Sequence, residues 1–105
     1  MKWIKLIDTE NIYLKRGTLL KFEASYPFES QVIMMVCEGH SINTFGLITI
    51  TGFKAGINMY VQFPKEYTEN GVMKDWLVSN WNYWVYPDSE VNNVLLHYPL
   101  NADDI

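Results

Sequence analysis

The side chains of this chain best suited to covalent chemistry are one cysteine and two histidines, Cys37, His40 and His97. A cysteine nucleophile needs a thiolate in a partly exposed, electropositive setting, usually beside a histidine. Cys37 instead ends an apolar run and precedes Glu38, whose negative charge would raise the pKa of the thiol. We therefore interpret Cys37 as a packed core residue, and the two histidines as ordinary surface or half-buried residues.

Paired carboxylates are the second chemistry to consider, because a glycosidase needs only two of them. The closest pairs in the sequence are Glu66 with Glu69, Asp88 with Glu90, and Asp103 with Asp104. All of them fall in predicted turns or in the tail, with no apolar or basic pocket that would separate their pKa values. The HExxH and paired CxxC spacings of zinc sites and the glycine-rich loops of nucleotide sites do not occur. The sequence thus predicts no catalytic residue, no metal site and no cofactor.

The charges are distributed unevenly along the 105 residues, whose formal net charge is −4. Five of the eight basic residues lie in the first 21 positions, whereas the rest of the chain has three basic and ten acidic residues. Phosphate binding needs clustered Lys and Arg, so this distribution disfavours a nucleic-acid partner. An acidic surface favours a cationic partner, although solvation alone is the commoner role of any single acidic side chain.

Composition and cysteine content indicate a cytoplasmic globular protein of one domain. The chain is 49% hydrophobic, and its length allows a core without disulfides. A single cysteine cannot form an internal disulfide, which favours a reducing compartment. The first residues, MKWIKLIDTENIY, carry charges where a signal peptide would be apolar. No apolar run approaches the roughly 20 residues that span a bilayer, so we expect no membrane association.

One segment, GVMKDWLVSNWNYWVYP at 71–87, contains three of the four tryptophans and predicts a helix over about 71–85. At about 100° per residue, its large apolar side chains fall on one face. These are Val72, Met73, Trp76, Leu77, Trp81 and Trp84. Asn80 lies within that face, where we expect it to tie the helix to a loop backbone, while Trp76, Trp81 and Trp84 pack as structural residues. Asn70 is the expected N-cap, and Asp75 lies near the positive end of the helix dipole.

The remainder of the chain has the alternation and the β-branched and aromatic content of strands. Strands are predicted at 13–15, 18–24, 31–38, 45–51, 57–63 and 91–98. The apolar run at 31–38 indicates a central strand covered on both faces, and 91–98 indicates an edge strand that could pair with another chain. Gly52 and Gly56 are expected to take positive φ in a hairpin loop. The predicted fold is α+β, a single domain with a mainly antiparallel sheet of about five or six strands and one helix.

Several motifs, covering nearly the whole chain, resemble those of bacterial immunity proteins from polymorphic toxin systems, in the immunity family numbered forty-five. The motifs are KLIDTENIYLKRGTLL (5–20), YPFE (26–29), GLITITGFKAG (46–56), FPKE (63–66) and DWLVSNWNYWVYP (75–87). This resemblance implies a small cytosolic protein that binds and neutralises a toxin domain, with no catalytic residue to carry over. Many such toxins are nucleases with basic surfaces, which an acidic inhibitor could block.

The predicted toxin-binding surface combines acidic and aromatic side chains before, on and after the helix. Its candidate residues are Glu66, Glu69, Asp75, Tyr83, Tyr86, Asp88 and Glu90. For the two tyrosines, plain packing is an equal alternative. Two other functions stay open: a small ligand-binding or sensor module with a tryptophan-lined cavity, and a minimal hydrolase that uses Cys37 or His40. The sequence does not decide the oligomeric state or the activity of the toxin.

Overall fold

The computed structural model of this protein describes residues 2–104, which contain eight strands and one α-helix. The strands are β1 (Ile4–Lys5), β2 (Tyr13–Leu14), β3 (Leu19–Glu23), β4 (Gln31–Glu38), β5 (Phe45–Thr49), β6 (Met59–Gln62), β7 (Val72–Met73) and β8 (Leu95–His97), and the helix is α1 (Lys74–Trp84). Six strands form one antiparallel sheet in the order β1-β8-β3-β4-β5-β6, and β2 pairs with β7 in a separate ribbon. The predicted α+β fold with one principal helix is confirmed.

One face of the sheet packs against α1. Along β4, Val32, Met34 and Val36 are buried in the core together with Leu77 and Trp81 of the helix. Because side chains alternate across a strand, the residues between them point to the opposite face, and they are only half-buried. The prediction that this strand is covered on both faces is therefore wrong. Its second face is apolar in sequence, but no helix within residues 2–104 packs on it.

The helix begins three residues later than its apolar periodicity predicts. Val72 and Met73 form β7, which pairs in antiparallel register with Leu14 and Tyr13 of β2. The N-cap position is Met73, which makes no side-chain capping hydrogen bond, so the prediction of Asn70 as N-cap is wrong. Apolar residues are compatible with both elements, and here the backbone pairing with β2 outweighs the helical period.

The last strand lies inside the sheet rather than at its edge. Residues Val91–Asn93 form a 3₁₀ turn, and only Leu95–His97 form β8, which pairs with β3 on one side and β1 on the other. The prediction of an edge strand at 91–98 is wrong because β1 pairs with β8 on that side. The charged N-terminal sequence shows no strand pattern, so β1 was not predicted. The true edges are β1 and β6, and the register of β6 on β5 shifts between Leu47 and Ile48.

The tryptophan side chains fill the space between helix and sheet. Trp81 is fully buried, and its ring meets Phe22 edge-on with ring centroids 5.1 Å apart. Trp76 packs between Phe63 at 5.5 Å and a stacked Tyr67 at 4.9 Å. Trp84 is half-buried, with its ring 5.7 Å from that of Trp76. These aromatic contacts make the helix part of the same core as the sheet.

The connection between β5 and β6 is a hairpin loop in which Gly52 and Gly56 have φ angles of 73° and 71°. Few residues other than glycine adopt this conformation without strain, as expected for this loop. A Cβ atom at Gly52 would also collide with the carboxylate of Glu29, so the loop depends on glycine there for two reasons.

Candidate functional site

The outward side of α1 presents a carboxylate at one end and a tyrosine ring at the other. The side chain of Asp75 is exposed in the first turn, where the helix dipole favours a negative charge. Its neighbour Lys74 is largely buried and donates from Nζ to the carbonyl oxygen of Ile7 at 3.1 Å. Tyr83 is exposed near the C-terminal end. At about 1.5 Å per residue, the helix separates these two side chains by roughly 12 Å along its axis.

The loop that follows α1 is held to the helix by polar side chains. Nδ2 of Asn82 lies 3.2, 3.1 and 2.6 Å from the carbonyl oxygens of Tyr86, Pro87 and Ser89. Nε1 of the buried Trp81 donates to Oγ of Ser89 at 2.6 Å. These bonds satisfy carbonyl oxygens of the loop and the indole N–H of a buried ring. They also fix the loop that contains Asp88 and Glu90.

Three carboxylates meet beside this loop. Asp88 and Glu90 line a cavity of about 300 Å³ together with Glu23, from the last position of β3. Glu23 and Asp88 also line an adjoining cavity with Ser25. Glu23 is not among the residues predicted from sequence, since only the fold brings the end of β3 beside the loop after the helix. The available signal was the position of Glu23 in the alternating pattern of β3, which places its side chain on the exposed face.

Tyr86 belongs to the core rather than to the exposed surface. Its side chain is only 9% exposed, and its ring lies 5.7 Å from Phe22 and 6.2 Å from Phe28. Its hydroxyl accepts a hydrogen bond from the backbone N–H of Ser25 at 3.0 Å and lies 3.1 Å from the Ser25 hydroxyl. Tyr86 therefore positions the loop at 24–30, and we leave it out of the exposed contact surface.

The predicted contact residues divide into two groups along the helix. Glu66 and Glu69 are exposed in the segment that precedes α1, and Asp75 follows them in its first turn. Tyr83 lies near the end of the helix, and two acidic residues, Asp88 and Glu90, follow it. The structure brings Asp88 and Glu90 together with Glu23, and the length of the helix lies between the two groups.

Asn80 makes a different contact from the one expected of it. Its Nδ2 donates to the carbonyl oxygen of Trp76, one turn earlier in the same helix, at 2.9 Å. This bond satisfies the side chain locally. The residue that ties the helix to a loop is Asn82, which periodicity places on the polar side.

The cysteine and the two histidines each have a different environment. Burial raises the pKa of the Cys37 thiol despite backbone hydrogen bonds that act in the opposite direction. Nδ1 of His97 lies 2.6 Å from the carbonyl oxygen of Tyr98, and the backbone N–H of His40 donates to Gln62. Across residues 2–104, no group of three or more His, Cys, Asp or Glu side chains could hold a metal ion. Within the same residues, no helix is both long and apolar enough to cross a bilayer.

Comparison with protein-family models matches residues 6–96 to the family described as Immunity protein 45. The matched range contains α1, the β2–β7 ribbon and nearly all of the six-stranded sheet. No curated protein and no solved structure matches the chain. The family resemblance carried by the sequence motifs is confirmed, and this chain belongs to the Immunity protein 45 family.

Proposed function

We propose that this protein binds a cognate bacterial toxin domain one to one and neutralises it by covering part of its surface, without a catalytic step. Membership of an immunity protein family over residues 6–96 is the observation that carries this proposal. Inhibition by direct binding requires a complementary surface and no reactive group. The raised pKa of Cys37 agrees with that requirement, because it leaves less thiolate at neutral pH.

The charge of the exposed surface supports a basic partner. Glu66, Glu69 and Asp75 lie before or at the start of α1, and Asp88 and Glu90 lie after its end. Opposite charges across an interface raise the association rate and select the partner. A nuclease domain with a cationic substrate site is one toxin class that fits, because the carboxylates would occupy the position of phosphate charges.

The size of the surface is sufficient for a tight complex. A standard interface buries roughly 800 Å² on each partner, which corresponds to a patch about 30 Å across. A patch of this width includes both ends of an 11-residue helix. Tyr83, exposed between the two acidic groups, supplies an aromatic side chain of the type that often dominates binding energy.

Titration calorimetry against the toxin domain encoded beside this protein tests the proposed function. We expect one-to-one binding with a dissociation constant of about 10⁻⁹ M that weakens as salt is added. We also expect toxin activity to fall in proportion to the amount of this protein added, up to one equivalent. A folded toxin domain that fails to bind at micromolar concentrations would remove the proposal.

A pair of double variants tests the acidic surface itself. Asp88→Lys with Glu90→Lys should lower the association rate at low salt by about tenfold, because attraction of a basic toxin becomes repulsion. Asp103→Lys with Asp104→Lys is the matched control, since it changes net charge equally in the tail. Stopped-flow association at two salt concentrations measures both. Equal rates for the two double variants would exclude Asp88 and Glu90 from the interface.

A further inference from the structure

One end of the sheet exposes several large apolar side chains from two loops, residues 24–30 and 50–58, and from the start of β6. We call Tyr26, Phe53, Ile57 and Tyr60 the tip surface. Tyr26 is 93% exposed, Phe53 69% and Ile57 62%, and Tyr60 is also exposed. Ile57 and Tyr60 line a groove of about 400 Å³ in which the ring of Phe28 forms part of the wall. Clustered exposure of this kind is uncommon on a protein that acts alone and typical of a binding surface.

The part of the tip surface that lines the groove is held in place by contacts with the core. The hydroxyl of Tyr60 donates to the carbonyl oxygen of Val85 at 2.6 Å, and its ring lies 5.8 Å from Phe28. Phe28 in turn packs against Tyr86, which also anchors Ser25. Aromatic groups that are fixed before binding lose little conformational entropy when a partner arrives. The groove is therefore prepared to accept an apolar side chain.

The tip surface is continuous with the acidic cavities beside the helix. Glu23 and Ser25 line the cavity that Asp88 shares, and Tyr26 follows directly in the same loop. Tyr86 lines that same cavity, and its ring contacts Phe28 in the wall of the apolar groove. Glu90 lines the next cavity together with Glu23 and Asp88, and we call these three residues the acidic rim. The basic side chain lining the groove is Lys54, whose Nζ lies 5.6 Å from the centre of the Phe28 ring.

We infer that the tip surface and its acidic rim form the docking site for the toxin domain, with an apolar toxin side chain in the groove and toxin Lys or Arg side chains at the rim. This inference rests on the proposed function and adds an apolar anchor to it. An apolar centre with a charged border is the usual arrangement of a specific interface.

The same rim disfavours two other occupants. A symmetric dimer through the tip surface would bring the carboxylates of Glu23, Asp88 and Glu90 from both copies into one interface, and an excess of like charge at an interface is costly. An anionic membrane would repel these carboxylates in the same way. A basic protein surface is attracted to the rim and gains from burial of the aromatic side chains.

The double variant Tyr26→Ser with Phe53→Ser tests the inference by calorimetry and dissociation kinetics with the neighbouring toxin domain. We expect affinity to fall by at least about 30-fold, mainly through faster dissociation, because apolar anchors act after encounter. Ile42→Ser is the matched control, because Ile42 is 84% exposed in the β4–β5 turn, at the opposite end of the sheet. It should leave affinity within about twofold of the unmodified protein. Unchanged melting temperatures would confirm that both variants fold.

A second variant, Ile57→Lys, adds a second cation to the groove that Lys54 already lines. It should weaken binding most strongly at low salt, where repulsion from a basic toxin is least screened. If the unmodified protein binds the toxin but neither tip variant changes affinity, the inference is wrong and the proposed function stands. If the unmodified protein does not bind, the proposed function itself fails. If size-exclusion chromatography shows a dimer that the tip variants dissociate while toxin affinity is unchanged, a second copy occupies the surface and the inference is also overturned.

Discussion

At the scale of single residues, Cys37 shows how burial limits chemistry in this protein. Its side chain lies half-buried on the sheet face away from α1, and desolvation raises the pKa of the thiol above the ordinary value of 9.0. A thiol that holds its proton more tightly reacts more slowly at neutral pH. The residue type alone would permit a nucleophile, whereas its surroundings disfavour one.

Native Cys37 should react with a disulfide reagent at neutral pH about tenfold more slowly than the same residue in the unfolded chain. Absorbance of the released thiolate, with and without urea, measures the two rates, and Cys37→Ser gives the background. A native thiol that reacts faster than the unfolded one would show an activated cysteine and reopen the hydrolase hypothesis.

The same raised pKa has a defined effect on stability. The folded state holds the thiol proton more tightly than the unfolded chain does. The contribution of Cys37 to the free energy of unfolding is therefore fully present below pH 9.0 and is lost as pH rises through the folded pKa. Stability should therefore decline in this alkaline range less steeply in Cys37→Ser than in the unmodified protein.

At the scale of elements, the connection between α1 and the following loop depends on Asn82. Replacing it with Asp keeps the shape but places a carboxylate beside the carbonyl oxygens of Tyr86, Pro87 and Ser89, with no N–H to donate. We expect Asn82→Asp to lower the free energy of unfolding by about 1–3 kcal/mol and to weaken toxin binding through the displaced loop.

Asn92→Asp is the control for this change, because Asn92 is exposed in a 3₁₀ turn and the substitution adds the same charge. Urea unfolding of both variants measures the difference. Equal stability of Asn82→Asp and Asn92→Asp would mean that the hydrogen bonds of Asn82 contribute nothing to holding the loop.

The elements also differ in how far sequence could predict them. The tryptophan spacing was sufficient for α1, because an apolar period of 3.6 over 11 residues is incompatible with the period of 2 that a strand requires. It could not place the helix start, since Val72 and Met73 suit a strand equally well and their partner, β2, is distant in sequence. The prediction that β8 lies at the edge was wrong for a similar reason, because β1 has only two residues and no strand pattern of its own.

The candidate site was predictable only where it depends on single turns. Asp88 and Glu90 stand out in a polar turn after a helix, so sequence alone could select them. Glu23 ends β3 and meets Asp88 and Glu90 only in the folded protein, and the tip surface likewise combines segments that are distant in the chain. Burial of Tyr86 was also beyond the sequence, because its hydroxyl depends on a hydrogen-bond partner, Ser25, that lies 61 residues away.

At the scale of the whole molecule, helix and sheet share one core, so unfolding should be a single cooperative transition. Met34 is fully buried at the centre of this core, whereas its neighbour Met35 lies on the half-exposed face. Met34→Ala should cost about 2–5 kcal/mol of stability, and Met35→Ala distinctly less. Urea unfolding followed by tryptophan fluorescence and by far-ultraviolet circular dichroism measures both.

Coincident curves from the two probes would confirm that α1 and the sheet unfold together. Separate transitions would show that the helix is not part of the same cooperative unit. Equal costs for the two methionine variants would show that both faces of β4 are packed to the same extent. The two methionines are suited to this test because they are adjacent and chemically identical, and differ only in the face to which they point.

The two edges of the main sheet determine how this molecule can meet another chain. A strand edge that recruits a further strand, as in amyloid growth, must be long and regular enough to offer a row of free N–H and C=O groups. Here β1 has two residues, and β6 has four with a shift in its register. Neither edge of the main sheet is a suitable template for fibril growth or for an added strand, so we expect recognition at this sheet to depend on side chains rather than on backbone pairing.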